Sequence, residues 1–112
     1  MDEGASLIVS THLIPPGFAG FTVWPFIFVC PGSRDDAGLI AHELVHFAEQ
    51  RRCLVFPWLA AYLMSKRFRC KAEVRAYRRQ IALGCIGVHD AAASLMKYRL
   101  GITYHEALAL LG

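Results

Sequence analysis

The chain has 112 residues, 55% of them hydrophobic and 19% charged, with a formal net charge of +3. This composition argues against a disordered segment, gives only a modest positive charge, and predicts one domain, residues 1–112, with a real core. The charge is uneven: residues 1–33 hold no Lys or Arg, whereas Lys66–Arg79 holds seven of the twelve and a single acid, Glu73.

The N-terminus, MDEGASLIVS, lacks the basic start and long apolar run of a secretory signal, so a cytoplasmic protein is expected. Its four cysteines, Cys30, Cys53, Cys70 and Cys85, form no C-x-x-C pair and read as reduced and mostly buried. Ser6–Ser10 is short, apolar and β-favouring. Pro15–Gly17 is a turn. Phe21–Cys30, rich in aromatic and β-branched residues, reads as a strand or two. Pro25 cannot donate to a ladder, so it predicts an edge strand or a bulge.

Pro31–Gly38 breaks the strand and opens a helix over about Ala37–Arg52, with Asp35 or Asp36 as N-cap and two arginines at its negative end. Leu39, Ile40, Leu44, Val45 and Phe47 surround this helix and predict that it is central. Cys53–Met64 is apolar with Pro57 inside, too short to span a bilayer and read as a core helix or packed connection. Arg51–Arg52 and Lys66–Arg69 flank it, which leaves peripheral membrane contact open. Further helices are expected over about Arg69–Ile86 and from His89 or Asp90 to near Leu100–Gly101. A last one opens with a Thr103–Glu106 capping box. The sum is an α+β fold, mainly helical, with a small N-terminal sheet whose edge strand precedes the first helix.

Inside that first helix, His42, Glu43 and His46 form the pattern H-E-x-x-H. Residues four apart lie on one helix face, so both imidazoles can reach one ion. Glu43 sits about 100° round, placed to take a proton from a metal-bound water without being a ligand. This is the division of labour of zinc hydrolysis: two His ligands, a third ligand, an open position and a general base. The competing reading is two histidines bonded to carbonyls and Glu43 paired with an arginine.

A third ligand is then needed. Glu49 lies seven residues past His42, about 10.5 Å along a continuous helix, too far to join both histidines; it reads as a surface acid paired with Arg52. Asp35, Asp36 and Asp90 read as caps, Glu106 belongs to its capping box, and Asp2 and Glu3 sit in the terminus. Elimination leaves Glu73. An acid in a basic run is expected if it turns inward to a cation, and Glu73, Ala76, Tyr77 and Gln80 share one helix face. The alternative for Glu73 is a surface ion pair with Lys71 or Arg75, which stabilises by only about 0–1 kcal/mol.

His42-Glu43-Leu44-Val45-His46 followed by Glu73-Val74-Arg75-Ala76 resembles the zincin metallopeptidases of the gluzincin type, above all their short phage- or bacterium-encoded members. The resemblance covers about Phe21–Gln80. It implies zinc at His42, His46 and Glu73, Glu43 as general base, and an edge strand that aligns an extended peptide, for which Thr22–Val29 is the expected segment. Tyr77 stands where those families commonly carry Asp or Asn. It is the first choice for the oxyanion donor that such a reaction needs, with His89, Tyr98, Tyr104 and His105 as alternatives.

The expected partner is a peptide or protein substrate, with a second protein completing the substrate site because so short a chain has little room for an extra lobe. Nucleic acid is disfavoured, since the basic run carries no recognised binding motif and reads as a solvated face. The expected function is thus a zinc metallopeptidase. Two alternatives stand beside it: an idle zinc-binding interaction module, and a basic helical module for nucleic acid or a membrane surface.

Overall fold

A computed structural model describes residues 7–112. Asp2 and Glu3, and the first residue of the Ser6–Ser10 segment, lie outside the described residues.

Three short strands open the fold: β1 (Leu7–Ser10), β2 (Gly20–Val23) and β3 (Phe26–Val29). Their order is β1-β3-β2, with β3 parallel to β1 and antiparallel to β2. The aromatic segment Phe21–Cys30 is therefore a hairpin, and Pro25 stands in its turn, where a missing N–H costs no ladder bond. It marks neither a bulge nor an edge. The strand just before the first helix, β3, is central; β1 and β2 are the edge strands among the described residues. The expectation that Thr22–Val29 as a whole offers a free edge is corrected accordingly, because both sides of β3 are paired.

Five α-helices follow: α1 (Ala37–Cys53), α2 (Val55–Met64), α3 (Lys66–Ala82), α4 (Val88–Leu95) and α5 (Tyr104–Leu111), with a 3-10 turn at Met96–Tyr98. Asp36 caps α1, its carboxylate accepting from the Leu39 N–H at 3.0 Å. Helix α3 starts at Lys66 rather than Arg69 because the Ser65 hydroxyl accepts from the Phe68 N–H. It stops at Ala82, short of Ile86, where Gly84 takes a left-handed φ of 74°. Asp90 lies in the first turn of α4 and does not cap it; Gly87 holds that position. The Thr103–Glu106 capping box forms as expected on α5.

Two apolar clusters hold these pieces. Ile27 and Val29 of β3 pack with Phe47 of α1. At the other end Ala91, Ala92 and Leu95 of α4, Leu100, and Ala107 and Leu111 of α5 pack around Tyr77 of α3. Between the clusters α1 crosses α3, where Ala72 and Ala76 are fully buried and small enough for close approach. Gly38 serves the same end: a Cβ there would lie 2.8 Å from the Cys85 Cβ.

Helix α2 departs from expectation. Only Trp58 of its ten residues is buried, so it is not a core helix. The cysteines depart too: all four are free, but Cys53 and Cys85 are exposed and the other two only half-buried. Cys53 ends α1 and Cys85 sits in the turn after α3, both at chain reversals where the backbone returns to solvent.

Candidate metal centre

Helix α1 is central, as its sequence predicts, yet its buried face is mostly polar: His42, Glu43, His46, Glu49 and Gln50 join Gly38 and Phe47 there. Polar groups out of water must each find a partner, and following those partners builds the site.

His42 and His46 stand one turn apart and both point at Glu73 of α3. His42 Nε2 lies 2.9 Å from Glu73 Oε1, and His46 Nε2 lies 3.2 Å from the same oxygen. All three side chains are buried, and their ligand atoms fall within 4.8 Å of one another, a group that can hold a metal ion. The sequence reading brings together these same three residues. The Tyr62 hydroxyl of α2 donates to Glu73 Oε2, which fixes the carboxylate with Oε1 towards the imidazoles.

The outer contacts test whether a cation belongs here. His42 Nδ1 lies 2.7 Å from Gln80 Oε1, so this imidazole has an acceptor at each end. A neutral imidazole carries one N–H. With Nδ1–H donated to Gln80, the Nε2 lone pair faces a carboxylate oxygen, a repulsive contact unless a cation joins them. Charge balance points the same way. Glu43 and Glu73 are buried, and no Lys or Arg pairs with either among the described residues. The two carboxylates are neutralised by two imidazolium rings or by one divalent ion held between neutral ones. The local field favours positive charge at this point. Burial opposes a charge on His46, but the carboxylates of Glu73 and Glu49 outweigh it and raise the group to about 10. Burial alone would raise Glu73, and the two histidines hold it well below the usual carboxylate range instead.

Glu49 corrects the sequence reading. It is not a surface acid paired with Arg52. It is buried, accepts from Arg75 Nε and from Trp58 Nε1, and places Oε1 3.6 Å from His46 Nδ1. That distance is too long for a hydrogen bond, and His46 Nδ1 is left buried without a partner. The helical rise does keep Glu49 away from Nε2, as expected, but brings it to the other nitrogen of the same ring. The Glu49 negative charge beside the ring raises the basicity of His46.

Glu43 points elsewhere. The Thr22 hydroxyl of β2 lies 2.8 Å from Glu43 Oε1, while Oε2 accepts no hydrogen bond among the described residues. Glu43 lines a cleft of about 710 Å³ with His46, Glu73, Tyr62, Tyr98 and the whole of β2. The antiparallel ladder, with Cys30 N–H on Ala19 C=O, turns the backbone groups of Gly20, Thr22 and Trp24 to the outer edge. Gln50, fully buried, takes part of that edge like a short strand. Its Nε2 donates to Thr22 C=O at 2.9 Å and its Oε1 accepts from Trp24 N–H at 2.7 Å. The free edge is thus the Gly20 peptide groups and the Thr22 N–H.

Tyr77 packs its ring edge-on against His42, with centroids 4.4 Å apart, and its hydroxyl lies 3.2 Å from that of Tyr98. Burial raises both phenols. Tyr98 is on the cleft wall; Tyr77 lines a smaller hollow beside it with His42, Glu43 and Gln80. His89 and Tyr104 hydrogen-bond one another at 2.9 Å and, like His105, lie outside the cleft. The basic run is only partly a solvated face. Arg69 donates to the Tyr62, Tyr98 and Arg99 carbonyls, and Arg75 holds Glu49.

No family model, curated protein or solved structure matches the chain.

Proposed function

We propose that the protein is a zinc-dependent peptidase, with His42, His46 and Glu73 holding the ion and Glu43 as general base. The observation that carries this reading is the convergence of two imidazole Nε2 atoms and one carboxylate oxygen, buried, with Glu43 beside them and free at Oε2. Two His and one carboxylate suit zinc with one position left open. Zinc supplies Lewis acidity, polarising a carbonyl and making water a nucleophile near neutral pH.

The rest is the work of the chain. Thr22 holds Glu43 Oε1, so that Oε2 accepts the proton of the attacking water and later delivers it to the leaving amine. The Tyr98 hydroxyl, held by Tyr77, is the donor to the developing oxyanion. The free edge at Gly20 and Thr22 pairs with one or two peptide units of an extended substrate before Gln50 closes it. Gln80 keeps His42 in the tautomer that presents Nε2. So short an edge fits the expectation that a partner protein completes the substrate site. The test is hydrolysis of a mixed peptide library by wild type and Glu43→Gln. Wild-type cleavage that a chelator stops and zinc restores, absent in a Glu43→Gln protein that keeps its metal, supports the reading. Metal-bound wild type that cleaves nothing returns the chain to a zinc-binding interaction module.

A further inference from the structure

The strongest feature outside the site is the outer face of α2. Leu54 is 67% exposed, Phe56 82%, Leu63 74% and Met64 87%. At 100° per residue, Leu63, Phe56, Ala60, Met64 and Pro57 fall in one arc of about 120° with no polar residue in it. All five are exposed. An unbroken exposed apolar stripe marks a contact surface.

The charges around it indicate its occupant. Arg51 and Arg52 stand at one end of α2 and Lys66 and Arg67 at the other, all exposed and in no ion pair among the described residues. No acid occurs between Gln50 and Glu73. A second copy docked on this face by two-fold symmetry would set basic ends against basic ends, whichever way the helices ran. An apolar helix face framed by Lys and Arg suits a bilayer interface with anionic headgroups. No described helix is long and apolar enough to cross a membrane, so the helix lies on the surface rather than spanning it.

We infer that α2 docks the protein peripherally on anionic membranes, inserting Phe56, Leu63 and Met64 between headgroups that Arg51, Arg52, Lys66 and Arg67 contact. Leu63 also lines the cleft. A docked chain therefore opens its cleft at the lipid–water boundary, a consequence that rests on the peptidase reading, whereas the docking itself does not.

The test is co-sedimentation of the purified full chain with phosphatidylcholine vesicles, with and without phosphatidylserine. The protein should pellet with the anionic vesicles, less so as salt rises, and poorly with phosphatidylcholine alone. Phe56→Ser/Met64→Ser, at exposed positions, should weaken binding by on the order of a hundredfold. Arg51→Ser/Arg52→Ser should weaken it by on the order of tenfold, with both variants matching wild type in circular dichroism and in metal content. Wild type that ignores the anionic vesicles overturns the inference, as does lipid binding that Phe56→Ser/Met64→Ser retains. A dimer in sedimentation equilibrium that this variant breaks also overturns it, because the face then belongs to a second copy. None of these outcomes bears on the metal site.

Discussion

The α1–α3 crossing and the α4–α5 end of the molecule are both buried, but they are built from opposite materials. At the far end Ala91, Ala92, Leu95, Leu100, Ala107 and Leu111 close a cluster that carries no charge. At the crossing, α1 buries two histidines, two glutamates and a glutamine against Glu73. Apolar burial stabilises wherever it occurs, whereas each buried polar group stabilises only when its partners are present. The contrast teaches that the α4–α5 end secures the fold, whereas the crossing is a polar site whose His42, His46 and Glu73 could hold a metal ion. Its hydrogen bonds, with Thr22, Tyr62, Gln80 and Arg75, involve β2, α2 and α3, and they leave the two Nε2 atoms aimed at one point.

The comparison can be broken from either side. The largest effect is expected at Glu43. Glu43→Gln should lower kcat on peptide by on the order of 10²–10⁴ with metal content and stability near wild type, measured by peptide cleavage and elemental analysis. Next is the apolar end: Leu95, fully buried, should cost about 2–5 kcal/mol when changed to Ala. Urea unfolding should report that loss while the folded fraction keeps its zinc affinity. A Leu95→Ala protein that loses zinc affinity as well would merge the two regions into one.

Zinc itself should stabilise the wild type by about 2.7 kcal/mol at a free concentration a hundred times its Kd, read as a rise in Tm, and should leave Glu73→Ala unmoved. Because His46, raised to about 10 in the metal-free site, must give up its proton to bind it, that rise should shrink as pH is lowered from about 10. Glu49→Gln should weaken zinc about 10–100-fold by removing the negative charge 3.6 Å from His46 Nδ1, without removing a ligand. The smallest effect lies furthest from the site: Thr103→Ala, which removes the α5 cap, should cost about 1 kcal/mol in urea and nothing in zinc affinity.

The convergence of His42, His46 and Glu73 was legible in the sequence because each part of it follows from local rules. The His42–His46 spacing belongs to one helix, and Glu73 is the acid left when capping and helical rise have accounted for the others. Gln80 was half legible, since it shares the Glu73 face, but its partner across the helix crossing was not. Glu49 was misread because rise along one helix says nothing about Arg75 and Trp58 arriving from two others. Tyr62 was hidden in a segment whose length and composition fit a core helix. Whether such a helix is covered depends on the packing of α1 and α3, and they cover only its Trp58–Tyr62 side. The sheet order was hidden for a similar reason: a segment read as a strand or two does not say which strand β1 will join.

The central claim, that α1 and α3 meet around a zinc ion, is tested most directly by elemental analysis of protein purified without added metal, for wild type beside Glu73→Ala. About one zinc per wild-type chain is predicted, the stoichiometry of a single three-ligand site, with clear loss in a Glu73→Ala protein whose circular dichroism shows it folded. A wild type that takes up no zinc, even when zinc is offered, would contradict the account and leave the crossing as a network of imidazolium and carboxylate.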